Sequence, residues 1–96
     1  MKLEGTLLRY LSKESFRVLT AVEIGMKNHE IVPEQLISSI SGLKRGTHKI
    51  LQDLLKNKLI SHQSKPYQGF TLTYRGYDYL ALHYFVSTNV LTQLGN

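Results

Sequence analysis

The chain has 96 residues, 42% of them hydrophobic, with two prolines and no cysteine. That length holds one small folded domain with a single core, and the missing thiols exclude disulfides, cysteine-based zinc sites and thiol catalysis while suiting a reducing compartment. The formal charge of +5 and pI of about 9.6 suit a polyanion such as nucleic acid or an anionic membrane surface, but no apolar run approaches the ~20 residues of a membrane-spanning helix and no secretory signal pattern is visible.

In chain order, Leu3, Leu7, Leu8 and Leu11 form a short apolar stripe that predicts a helix. Ser12 is the N-cap candidate for the next helix, Lys13 to about Met26, which presents Phe16, Leu19, Val22 and Met26 to a core. Gly25 and Asn28 can close it in the left-handed conformation. Pro33 pushes Val32 towards an extended conformation and itself suits the first position of a further helix. That helix gains an acid from Glu34, buries Leu36, Ile37 and Ile40, and ends at Ser41 and Gly42.

The stretch Lys44 to Lys58, KRGTHKILQDLLKNK, organises the rest. Thr47, Ile50, Leu51, Leu54 and Leu55 recur at helical spacing, and Lys44, Arg45, His48, Lys49, Gln52 and Lys56 occupy the other side. Residues 1–43 carry five bases and five acids, whereas this stretch carries five bases against Asp53 alone, so it supplies +4 of the total +5. Localised positive charge is the usual footprint of phosphate contact; a charged face kept for solubility is the plain alternative. A membrane-surface helix fits poorly, because the apolar side here has a core to join.

The period then changes. Leu59 to Gln63 reads as a short strand, Ser64 to Gly69 as a loop with Pro66 and Gly69 as turn formers, and Phe70 to Thr73 as a returning strand with Phe70 and Leu72 on one face. Thr73 caps a last helix, Tyr74 to about Phe85, whose Tyr77, Leu80, Ala81 and Tyr84 are expected to face the core. Gly76, early in it, offers a place for another backbone to come close. Val86 to Asn96 carries Val86, Val90, Leu91 and Leu94 at helical spacing and reads either as a connecting helix or as an ordinary helix packed on the domain. The fold class is therefore mainly α with a small β-hairpin wing, a winged helix-turn-helix over residues 1–85.

Catalysis has no visible equipment. His29, His48, His62 and His83 lack metal-site spacing, no carboxylates pair, and neither GxxxxGK[ST] nor GxGxxG occurs. Binding is better supplied. By winged-helix geometry Lys44, Arg45, Thr47, His48, Lys49 and Gln52 face a nucleic acid, with Lys56 further along and Lys65, Tyr67 and Gln68 at the wing tip. The bases attract phosphates; Gln52 and His48 can meet base edges or riboses, and Tyr67 offers a stacking ring.

The run RVLTAVEIGMKNHEIVP, Arg17 to Pro33, followed by LISSISGLKRG, LLKNKLI and GFTLTYRGYDYLAL, resembles the N-terminal winged-helix domain of the second Rio subfamily of atypical serine/threonine kinases, in its eukaryotic form. The resemblance covers nearly the whole chain, and GMKNHEIVP is its most specific part. It implies that residues 86–96 start a linker helix leading to a bilobal Rio kinase domain that binds ATP and magnesium, with no cofactor held by these 96 residues and no catalytic residue to carry over. It further implies work in maturation of the small ribosomal subunit, a cytoplasmic location with passage through the nucleus, and pre-ribosomal RNA or the pre-40S particle as partner. The domain is expected to be monomeric and to dock on RNA through its third helix and wing. Two other readings stay open: a protein-interaction module that packs on its own kinase domain or on assembly factors, and a free-standing DNA-binding regulator, which would dimerise.

Overall fold

The computed structural model describes residues 11–95, with side chains through Tyr84. The expected stripe Leu3, Leu7 and Leu8 lies outside the described residues, as do the side chains of Val86, Val90, Leu91 and Leu94. Helix α1 is Lys13–Gly25, α2 Glu34–Ser41, α3 Thr47–Lys56 and α4 Tyr74–Gly95; strands β1, Ile60–Gln63, and β2, Gly69–Leu72, lie between α3 and α4. The strands form an antiparallel hairpin in the register Ile60 to Leu72 and His62 to Phe70. Val32 makes a single antiparallel bridge to Phe70, each amide nitrogen 2.9 Å from the other's carbonyl oxygen. The extended backbone that Pro33 imposes on Val32 thus ties the α1–α2 connection to the wing.

Helix α1 starts where Ser12 Oγ accepts from the Ser15 amide at 3.1 Å, and it buries Val18, Leu19, Ala21 and Val22. Phe16 and Met26, expected in the core, are half-buried at its margin. Neither Gly25 nor Asn28 is left-handed. Glycine stands at position 25 for space, since a β-carbon there would come within 2.5 Å of Val32 Cγ1. Helix α2 begins at Glu34, one residue later than expected, with Pro33 as its N-cap, and closes on Gly42 at φ 76°. Arg17 reaches across from α1 to donate to the Ser41 carbonyl, placing a cation at the negative end of α2.

The end of α3 fixes where the wing starts. The Leu59 amide donates back to Leu54 O and the Lys58 amide to Leu55 O, with Lys58 left-handed at φ 61°; this is a Schellman closure whose apolar pair, Leu54 and Leu59, is fully buried. Thr73 binds this turn to α4, because its hydroxyl donates to Lys58 O at 2.7 Å and accepts from the Gly76 amide at 3.0 Å. Such a cap is worth about 1 kcal/mol.

Helix α4 lies differently from the sequence expectation. Tyr79 and Leu80 are buried and His83 half-buried, while Tyr77, Ala81 and Tyr84 are exposed. The cause is Gly76, on which the Leu59 carbonyl oxygen sits. With position 76 against the wing, helical spacing brings 79, 80 and 83 inward and turns 77, 81 and 84 out. Phe16 and His83 meet with ring centroids 4.1 Å apart beside Tyr79, whose hydroxyl burial pushes above its usual pKa. Gly69, expected in the loop, belongs to β2 and is buried, because a β-carbon there would meet Ile31 Cγ2 and the Val32 carbonyl.

Candidate nucleic-acid interface

Helix α3 is amphipathic as its spacing predicts. Leu51 and Leu54 are fully buried, with Ile50 and Leu55 half-buried against the core. Lys44, Arg45, His48, Lys49, Gln52 and Lys56 are exposed, as are Lys65, Tyr67 and Gln68 in the wing. The opening of α3 is unusual among the four described helices. Its N-cap is Gly46 at φ 85°, with no side-chain cap and no acid in the first turn, whereas Ser12 and Thr73 cap their helices and Glu34 opens α2. First-turn amides left without a side-chain acceptor, with bases beside them, weaken an isolated helix and attract an anion.

One expected contact residue is misplaced. Thr47 is 6% exposed, and its hydroxyl donates to Ser38 Oγ at 3.3 Å while Ser38 Oγ donates to Leu43 O. It shares the face of Ile50, Leu51 and Leu54, so it fastens the helix-turn-helix from inside and cannot also meet a ligand. Tyr67 is divided. Its hydroxyl donates to Ile31 O at 2.9 Å, which anchors the wing to the α1–α2 connection, and its ring stays partly exposed.

Between α2, α3 and the wing lies a cleft of about 160 Å³ lined by Glu34, His48, Gln52, His62, Gln68 and the buried Phe70. His48 Nδ1 stands 3.2 Å from Glu34 Oε1, and the His62 ring meets Phe70 edge-on at 5.3 Å. The cleft unites three of the expected contact residues, Gln52, His48 and Gln68, and adds Glu34 and His62. Glu34 was legible only as a helix-opening acid; fourteen residues separate it from His48, and only the crossing of α2 and α3 joins them. His62 shares the strand face of Ile60, and that alternation is the one signal that could have found it. Among the described residues, no three of His, Asp and Glu are grouped to hold a metal, and no helix is long and apolar enough to cross a membrane.

A family model described as "Rio2, N-terminal" matches residues 8–88. The serine/threonine-protein kinase rio2 of Dictyostelium discoideum is 55% identical over 97 residues, spanning all of this chain and 19% of that protein. The RIO2 kinase of Saccharomyces cerevisiae is 44% identical over 99 residues, again spanning this whole chain and 23% of its own length. The crystal structure of the Rio2 kinase–ADP/Mg2+–phosphoaspartate complex from Chaetomium thermophilum matches with a TM-score of 0.76 and 48% identity, over 84% of this chain and 25% of that one. The chain thus spans about a fifth to a quarter of the proteins it resembles.

Proposed function

This chain belongs to the Rio2 family, as its N-terminal winged-helix domain, and on that premise we propose that it docks a Rio-type serine/threonine kinase or ATPase on pre-ribosomal RNA during small-subunit maturation. The docking surface is the outer wall of α3 together with the wing. One observation carries this reading: three of the bases of residues 44–58, Lys44, Arg45 and Lys49, stand exposed around a helix start that has neither side-chain cap nor acid. Glycine at position 46 suits its left-handed backbone, and no acid follows it in the first turn to offset the positive helix start. A phosphate would meet those first-turn amides and the bases beside them.

The domain contributes binding, not chemistry. On this reading nucleotide chemistry, with ATP and magnesium, belongs to a kinase domain in the same polypeptide. The complex would assemble on pre-40S particles, chiefly in the cytoplasm, with the domain acting as a monomer. Association with transcripts of the small-subunit rRNA precursor, followed over rising salt, tests this. Four bases each neutralising one phosphate give a fall in log K of about three per decade of salt, at 0.7–0.9 per contact; a flat dependence refutes the reading.

A second reading has its own support. Tyr74 is 91% exposed and Tyr77 and Tyr84 are 43% and 44% exposed, all on one face of α4, and exposed aromatics in a row suit a protein partner. On that reading the domain packs against its own kinase domain or an assembly factor, with binding that salt barely affects.

A further inference from the structure

We propose that the cleft between α2, α3 and the wing receives the Watson–Crick edge of one unpaired guanine, with Glu34 as the acceptor; this rests on the nucleic-acid reading above. A carboxylate is the wrong group to offer a phosphate. Glu34 nevertheless stands beside α3, 3.2 Å from His48 Nδ1, and it lines the same cleft as Gln52 and Gln68. A carboxylate has about four lone-pair positions. His48 occupies one and holds the group in place, which leaves the others for a ligand that donates. Guanine presents two adjacent donors on one edge, the ring N1–H and the exocyclic N2 amine, and these match a carboxylate as the fork of an arginine does. The amides of Gln52 and Gln68 carry donors for its O6 and N7 acceptors.

Size and accessibility narrow the ligand further. Pockets for whole drug-sized molecules run to roughly 300–1,000 Å³; about 160 Å³ holds one planar ring system and leaves ribose and phosphate outside. The exposed Lys49, next to His48, and Lys65 in the wing loop are then placed for the flanking phosphates. In an A-form duplex the Watson–Crick edge is already paired and the major groove is closed to side chains, so the base must come from a loop, bulge or single strand.

The test uses a short uridine oligoribonucleotide carrying one central guanosine, inosine or uridine, with binding read by fluorescence anisotropy. Wild type is expected to bind the guanosine oligonucleotide about tenfold more tightly than the uridine one. Inosine, which lacks the N2 amine, falls between them. Glu34→Gln flattens all three to within about twofold and leaves the salt dependence unchanged, with circular dichroism showing that the helices are intact. Equal wild-type affinity for the three oligonucleotides overturns the proposal, as does a Glu34→Gln protein that keeps the preference. A uniform gain by Glu34→Gln on all three also overturns it, because that is what removing a merely repulsive charge would do. Each of those results leaves the nucleic-acid reading standing; wild type that binds none of the three removes both.

Discussion

Replacing Gly76 by alanine is expected to destabilise the domain by about 3 kcal/mol, enough to take a large share of the ~5–15 kcal/mol that a domain of this size commands. Alanine is the better helix former by about 1 kcal/mol, and Gly76 has no left-handed backbone to protect, so on local grounds the substitution should help. Packing reverses the sign. A β-carbon at position 76 overlaps the carbonyl oxygen of Leu59 and comes within 3.1 Å of Leu72 Cδ2. That carbonyl cannot retreat cheaply, since it accepts from the Thr73 amide at 3.1 Å and Leu59 belongs to the closure of α3. The added methyl must therefore part α4 from the wing or break the Thr73 link. Urea unfolding followed by circular dichroism measures the effect. Gly46→Ala is the control: it has the left-handed φ of 85° and nothing within 4 Å of its β-carbon, so it should lose only the ~1–2 kcal/mol of backbone strain.

The triple substitution Lys44→Ala, Arg45→Ala and Lys49→Ala should weaken association with small-subunit rRNA precursor transcripts about ten- to a hundredfold near physiological salt, and should lower the salt slope by two to three units. All three side chains are exposed, so stability should change by no more than about 0.5 kcal/mol. Removing cations from the positive end of α3 relieves a small unfavourable interaction and shifts stability slightly upward. Affinity and stability thus move apart, which separates a lost contact from a lost fold. If the second reading is right, RNA affinity stays where it was and binding to a protein partner is equally untouched, because that partner meets the tyrosines of α4.

Much of this was legible in the sequence wherever one local rule decided the outcome. Ser12 and Thr73 cap as their positions suggest, Gly42 closes α2, and Phe70 and Leu72 share the buried side of β2. Gly76 serves as the point of close approach. The misreadings come where two faces satisfy the same period. Tyr77, Leu80, Ala81 and Tyr84 are spaced as helically as Gly76, Tyr79, Leu80 and His83, and only the tertiary contact at Gly76 chooses between them. Thr47 belonged by spacing to the buried wall and by proximity to the basic one, and packing on Ser38 settled it. Gly25 and Gly69 read as turn formers, yet both make room for the extended Ile31–Val32 segment, a contact that only the folded packing creates. The Glu34 to His48 pair has no sequence signature, because it depends on how α2 crosses α3.

The account stands on which wall of α3 meets the polyanion. Lysine acetylation of the free and RNA-bound protein, located by mass spectrometry, reads that wall directly. Lys44, Lys49, Lys56 and Lys65 should lose reactivity together on binding while Lys13, at the start of α1, keeps it. Protection of Lys13 with Lys44 and Lys49 still fully reactive would contradict the account.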